Sequence, residues 1–127
     1  MKLLLDTHAF LWYMAGDERL SRRARRAMDA DDAELILSAA AVWEIAIKVK
    51  LGRLTLPDSV EEYVTEKIEA GLQTLPVDWQ HAAAVEKLPL HHRDPFDRLL
   101  VAQALTEGLP LVTGDPALRA YGVKVIW

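Results

Sequence analysis

Four carboxylates lie at the ends of short predicted strands or on the helices that follow. Asp6 directly follows the apolar run 3–5, and Asp115 comes just after a late apolar run. Glu44 lies on the helix predicted after the second apolar run, and Asp97 lies in the first turn of a later helix. Because the carboxyl ends of parallel strands share one rim of a sheet, we expect these acids to converge.

Carboxylates gathered on one rim repel one another, and divalent cations among them relieve that repulsion. Mg²⁺ and Mn²⁺ prefer oxygen ligands and often bind a few carboxylates together with water and substrate phosphate. Among the residues directly beside these acids, only Arg98 is positively charged, so a metal ion is the expected counter-charge. Such a site can activate water and stabilise the charge of an in-line attack on phosphorus.

Each acid also has a purely structural explanation. Taken singly, Asp6 and Asp115 are better explained as helix N-caps than as ligands. Asp94 precedes a proline and is the expected N-cap of its helix, so Asp97 is then the third residue of a capping-box-like segment. Glu44 could be an ordinary exposed helix residue, although most of its neighbours on that helix are apolar. The conjunction of the four acids, rather than any one of them, indicates a site.

The elements that must position these acids alternate along the chain. Apolar runs without polar alternation predict strands buried on both faces, at 3–5, 35–37, 74–77, 109–113 and 123–126. Capping and stop signals predict helices at 7–14, 20–30, 39–50, 60–70, 79–88 and 95–107. The alternation predicts one α/β domain over residues 1–127, a three-layer α/β/α sandwich around a small parallel sheet of four or five strands.

Several polar residues near the acids are candidates for supporting roles. Thr7 and Thr113 could donate hydrogen bonds to phosphate or bound water, and capping or turn formation explains them equally well. The adjacent His91 and His92 are assigned to the loop before Asp94, because neighbouring histidines do not readily bind one metal from regular structure.

Composition limits the classes of protein that remain. The chain has 127 residues, 51% of them hydrophobic, which suffices for a sizeable core. Absence of cysteine excludes disulfides and thiolate metal sites and fits a reducing cytoplasm. The apolar run before Asp6 is too short for a signal peptide, and no stretch could span a membrane, so we expect a cytoplasmic protein with no membrane partner.

The charge distribution bears on nucleic-acid binding. The formal net charge of −4 argues against a protein that binds nucleic acid by charge alone, although bound metal ions reverse the local field. A basic cluster is nevertheless present, and it is explained either as a solvated helix face or as a contact with RNA or a partner. Its members are Arg19, Arg22, Arg23, Arg25 and Arg26.

Four segments carry a family resemblance, and they follow one another from end to end of the chain. They are residues 3–8 (LLLDTH), 38–45 (SAAAVWEI), 92–104 (HRDPFDRLLVAQA) and 111–115 (LVTGD). In these segments the sequence resembles PIN-domain proteins, and specifically the VapC toxins of prokaryotic toxin–antitoxin pairs. The stretch DPFDR at 94–98 is the most specific of the matching motifs.

The resemblance implies a PIN-type α/β/α sandwich and an endoribonuclease that uses Mg²⁺ or Mn²⁺. It places the acidic residues of the family on Asp6, Glu44, Asp97 and Asp115, and the polar residue after the first acid on Thr7. Asp94 matches the first acid of the DPFD motif, as a ligand or only as a helix cap. The resemblance further implies an RNA substrate, a homodimer, and a cognate VapB-like antitoxin that inserts a segment near the active site and supplies the DNA-binding part.

Two other functions are alternatives for a sheet of this kind. A phosphate-transfer enzyme or phospho-receiver has the same kind of sheet, but His8 stands where a phosphatase needs a second aspartate, and no glycine-rich phosphate loop is present. A non-catalytic PIN-like binding module would lack one or more of the four acids, and this sequence lacks none.

Overall fold

Five short parallel strands form the sheet at the centre of the molecule. The computed structural model describes residues 1–127. The strands are β1 (Lys2–Leu5), β2 (Glu34–Ser38), β3 (Gln73–Leu75), β4 (Leu111–Val112) and β5 (Val125–Ile126). The helices are α1 (Thr7–Ala15), α2 (Arg22–Asp29), α3 (Ala39–Lys50), α4 (Val60–Glu69), α5 (Trp79–Ala84) and α6 (Pro95–Glu107). Two further segments, Val85–Lys87 and Pro116–Tyr121, are 3₁₀ helices.

The strand order is β3-β2-β1-β4-β5, and every neighbouring pair is parallel. The chain builds outward from β1 to β3 on one side and then returns to place β4 on the other side of β1. In open parallel sheets, the crevice beyond the carboxyl ends of the strands at such a reversal is where ligands bind. Leu5 pairs with both Leu37 and Val112, so the residues that follow β1, β2 and β4 meet at that crevice.

The core lies on both faces of the sheet, because successive residues of β1 point to opposite sides. Leu3 and Leu5 are buried in a cluster with residues of α1, α2, α3 and α4. Leu4 is buried in a second cluster with residues of α6 and the Pro116–Tyr121 segment. The predicted three-layer sandwich is therefore confirmed, with five strands in its sheet. None of the helices is both long and apolar enough to cross a membrane.

Local capping signals place the helices. Ser21, Ser38 and Asp94 each accept a hydrogen bond from a backbone N–H in the first turn of the helix that follows, as predicted. Gly108 ends α6 with φ of 66°, a left-handed conformation that costs glycine little. Because these signals are local, the helix starts deduced from them agree closely with the structure.

The differences from prediction lie at element ends and in one missed element. The helix predicted over 79–88 is divided into α5 and the 3₁₀ segment Val85–Lys87, and the strand predicted over 109–113 is paired only at Leu111–Val112. The helix predicted from residue 20 begins at Arg22, after the Ser21 cap. The Pro116–Tyr121 3₁₀ helix was not predicted.

A buried polar network ties β2 to α6. Ser38 is fully buried, and its hydroxyl donates to Oε1 of Gln103 at 2.5 Å while accepting from the backbone N–H of Ala40 at 3.0 Å. The Gln103 amide nitrogen donates to the carbonyl of Pro76 at 3.3 Å. Gln103 is itself fully buried and has no access to water, so its amide group depends on these protein hydrogen bonds.

We expect Ser38→Ala to lower the free energy of unfolding by about 2–3 kcal/mol, because it removes a helix cap and leaves the Gln103 carbonyl oxygen without a donor. Urea denaturation measures the change. Ser59→Ala is the matched control, because Ser59 caps α4 at an exposed site and its loss should cost only about 1 kcal/mol. Equal losses for the two variants would show that the buried bond to Gln103 contributes nothing.

Candidate active site

The four predicted acids meet in one cleft of about 640 Å³ at the carboxyl edge of the sheet. Asp6 follows β1, Asp115 follows β4, Glu44 is on α3 after β2, and Asp97 is in the first turn of α6. Asp94 and Thr7 line the same cleft. The reversal of strand order between β1 and β4 thus brings together acids that are separated by up to a hundred or so positions in the sequence.

Asp6 is almost completely buried and caps helix α1. Its Oδ1 accepts a hydrogen bond from the backbone N–H of Ala9 at 2.6 Å. Burial raises the pKa of the Asp6 carboxyl, while hydrogen bonds from the Thr113 hydroxyl and the Ala9 amide lower it. The Thr113 oxygen also accepts the backbone N–H of Asp115 at 3.1 Å, so Thr113 connects the residues at the ends of β1 and β4.

Glu44 is held by one hydroxyl and one ammonium group. Thr7 Oγ1 donates to Glu44 Oε1 at 2.7 Å, and Lys48 Nζ donates to Glu44 Oε2 at 2.6 Å. The Glu44 side chain is only 12% exposed, so it is not an ordinary solvated helix residue. Thr7, at the start of α1, therefore orients the Glu44 carboxylate on α3.

Asp97 and Asp115 share the imidazole of His92. His92 Nε2 lies 2.8 Å from Asp115 Oδ2 and 3.3 Å from Asp97 Oδ2. His92 Nδ1 accepts the backbone N–H of Asp94 at 2.9 Å, which leaves Nε2 as the nitrogen that donates to the two carboxylates. One ligand atom from each of His92, Asp97 and Asp115 falls within 4.8 Å of the others, a spacing that suits a metal ion.

Asp94 lines the cleft and also caps helix α6. Its Oδ1 accepts the backbone N–H of Phe96 at 2.8 Å, as the Asp-Pro sequence predicts. The Asp94 backbone orients His92, and its negative charge acts on Asp97. Asp94 thus contributes to the site through its neighbours as well as through its own carboxylate.

The proton affinity of Asp97 reflects its burial and the negative charges around it. Burial, and after it the nearby charges of Asp94, Asp6 and Glu44, raise the pKa of Asp97 to about 7 against the opposing effect of His92. A carboxyl that binds its proton this tightly lacks the positive neighbours of an ordinary salt bridge. The cleft is therefore short of positive charge at Asp97.

Two of the groups that contact the acids were not predicted from the sequence. Arg98 is the only cation adjacent to them in sequence, but its guanidinium donates to the Pro89 carbonyl at 2.8 Å and to the Tyr121 hydroxyl at 3.1 Å. The cationic partner of Glu44 is instead Lys48, one helical turn later, and spacing alone could have suggested it. His92, assigned only to a loop, is the polar bridge between Asp97 and Asp115.

A family model and a known ribonuclease are similar to this chain in sequence. The family model for the PIN domain matches residues 3–124. Ribonuclease VapC22 of Mycobacterium tuberculosis is 33% identical over 120 residues, which cover 94% of this chain and 91% of that protein.

Two solved structures have a similar fold. The DNA-bound VapBC of Salmonella typhimurium superposes with a TM-score of 0.73 at 17% identity, over 98% of this chain and 96% of that one. VapBC2 of Rickettsia felis, bound to a promoter DNA fragment, superposes with a TM-score of 0.71 at 12% identity, over 98% and 97% of the two chains. From the family match and the full-length similarity to a VapC ribonuclease, the chain belongs to the PIN-domain family, among its VapC-type members.

Proposed function

We propose that this protein is a metal-dependent endoribonuclease, the toxin of a VapBC-like toxin–antitoxin pair, which hydrolyses RNA phosphodiester bonds in the acidic cleft. The observation that carries the proposal is the convergence of Asp6, Glu44, Asp97 and Asp115 from four separate segments onto one cleft. Similarity to a VapC ribonuclease over nearly the whole chain supports the activity and the toxin role.

The residues of the cleft fit Mg²⁺ or Mn²⁺. The cleft offers several carboxylate oxygens, the imidazoles of His8 and His92 and no thiolate, and oxygen ligands are the ones that these hard cations prefer. Asp6, Asp97 and Asp115 would hold the ion, and Glu44 would contribute from the side where Thr7 and Lys48 orient it. When bound, the ion supplies positive charge beside Asp97, activates water and stabilises charge on the reacting phosphate.

Asp6 and Asp97 have different roles in the proposed reaction. Asp6 is fixed by the Ala9 amide and by Thr113, so it serves as a rigid ligand. Asp97 has only His92 as a polar partner, so a carboxylate oxygen that does not hold the ion could accept a proton from the attacking water. The water oxygen bonds to phosphorus as the bond to the leaving ribose oxygen breaks, and that oxygen takes a proton from solvent.

His92 acts as a positioning residue in this scheme. With Nδ1 held by the Asp94 amide, the ring cannot rotate freely, and Nε2 keeps Asp115 and Asp97 at fixed separations. Because these ligands are held in place before the substrate arrives, little free energy is spent on reorganising them during the reaction.

The proposed protein partners are a cognate antitoxin and a second copy of this chain. Solved similar structures include VapBC complexes, which supports a cognate antitoxin as the partner of this chain. An apolar groove of about 630 Å³ adjoins the cleft and shares His8, Trp12, Arg19 and Lys48 with it, so a bound antitoxin segment there would block access to the acids. We further propose a cytoplasmic homodimer, and sedimentation would distinguish it from a 14.3 kDa monomer.

We expect induced expression of the wild-type protein to arrest growth, and Asp6→Asn or Asp97→Asn to abolish both the arrest and Mn²⁺-dependent RNA cleavage. Loss of one ligand should lower the cleavage rate by roughly 100-fold or more. The Asn side chain keeps an oxygen that can cap α1, so Asp6→Asn should preserve folding.

Asp31→Asn is the matched control, because Asp31 is exposed ahead of β2, at the opposite end of the strands from the cleft. It should arrest growth like the wild type, and co-expression of the cognate antitoxin should relieve the arrest. Toxicity that survives both cleft substitutions would contradict the carboxylate mechanism. Purified wild type that cleaves no RNA with Mn²⁺ would favour a non-catalytic binding module.

The raised pKa of Asp97 predicts how cation-free protein responds to pH. Between about pH 4 and pH 7 the native protein holds a proton on Asp97 that the unfolded chain has lost, so this carboxyl makes stability fall as pH rises. Asp97→Asn should remove the contribution of this carboxyl to the fall of stability with pH, and it should raise the melting temperature at pH 8. Thermal unfolding with chelator present measures the effect.

Mn²⁺ should oppose the same loss, because it binds the ionised carboxylates of the native state. A concentration 100-fold above the dissociation constant adds about 2.7 kcal/mol to the free energy of unfolding. The stabilisation should be larger at pH 8 than at pH 5 in the wild type and in Asp31→Asn, and much smaller in Asp97→Asn. Equal stabilisation at both pH values would mean that the cation binds elsewhere.

A further inference from the structure

One side of the acidic cleft is formed by aromatic rings. His8, Trp12 and Trp127, here called the aromatic wall, line the same cleft as the carboxylates. The His8 and Trp12 rings stack with centroids 5.3 Å apart and planes 18° apart. The Trp12 and Trp127 rings meet at a centroid distance of 6.1 Å and an angle of 53°, so the two indoles form a corner.

Trp127 is held directly beside Asp115. A Cβ atom built on Gly114 would come within 2.7 Å of the Trp127 ring, so the indole lies against the bare glycine backbone. Gly114 immediately precedes Asp115, and any larger residue there would displace the ring. The glycine therefore brings an aromatic surface next to one of the proposed metal ligands.

The other end of the wall carries positive charge. The Arg19 guanidinium lies over the Trp12 ring, 4.9 Å from its centroid, and is fixed by a two-point contact with Asp17. Arg19 is largely exposed and lines the cleft. A stacked aromatic surface with an adjoining guanidinium is the combination that single-stranded nucleic acids contact through bases and phosphates.

We propose that the aromatic wall is a stacking subsite for the base of the nucleotide whose phosphate lies at the acids. This inference rests on the proposed function, since it assigns the wall to the same RNA that the carboxylates would cleave. A phosphate at the acids carries its ribose and base with it, and the wall is the adjacent side of that cleft. Stacking does not require base pairing or a particular base, because every base has a π-face.

The surroundings favour a base over an apolar peptide side chain. Trp12 and Trp127 are the only apolar side chains that line the cleft, and the rest of its lining is charged, polar or glycine. A base has flat apolar faces and polar edges, so it matches rings set among charged groups. The adjoining groove is different, because it is lined by Leu11, Met14, Leu54 and Leu56 and does not include Trp127.

The test compares two probes on the full chain carrying Asp97→Asn to suppress cleavage. One probe is a fluorescent single-stranded RNA of ten uridines, and the other is a chain of ten abasic ribose phosphates with the same backbone charge. We expect the uridine probe to bind at least about tenfold more tightly than the abasic probe. Adding Trp127→Leu or Trp12→Leu should bring the ratio close to one with little effect on the abasic probe.

Trp79→Leu is the matched control, because Trp79 is 76% exposed on α5 and does not line the cleft, so the ratio should be unchanged. Trp12→Phe keeps a ring and should retain part of the preference, which separates loss of stacking from loss of folding. An unchanged ratio in both leucine variants, equal weakening of both probes, or no binding of either probe would overturn the stacking subsite. Cleavage of RNA by the wild type with Mn²⁺ would show that the proposed function stands regardless.

Discussion

The structure depends on holding several carboxylates together in a partly buried cleft against their mutual repulsion. The free energy needed for this comes from the rest of the fold, since apolar clusters on both faces of the sheet fix the strands whose ends carry Asp6 and Asp115. Burial is the main cause of the raised pKa of Asp97, and the charges of Asp94, Asp6 and Glu44 add to it. A divalent cation bound among these carboxylates would reduce their mutual repulsion.

Capping and ligand roles are not alternatives at this site. Asp115 uses Oδ1 to accept the backbone N–H of Ala117 at 3.0 Å, while its Oδ2 faces His92. Asp6 likewise caps α1 through Oδ1. Because one oxygen is held by a helix N-terminus, the direction of the other is fixed, and each helix start becomes part of the site's preorganisation.

The features that could be predicted from sequence are those with local causes. Apolar runs and the caps Ser38 and Asp94 were enough to predict the sandwich, the sheet and most helix starts, and the family motifs named the four acids that the structure brings together. The features that were missed depend on contacts between distant residues. The bridge from His92 to Asp115 spans 23 positions, and the contact of Trp127 with Gly114 requires β5 to lie beside β4.

Anomalous scattering from Mn²⁺ in a crystal of the full chain would locate the cation directly. The chain has a second group with metal-binding spacing, formed by Asp78, His81 and Glu107, so the experiment can give a clear negative result. We expect a manganese peak among Asp6, Asp97 and Asp115 that disappears in Asp97→Asn. Manganese found only at His81 and its neighbours, or no peak at saturating concentration, would contradict the proposed site.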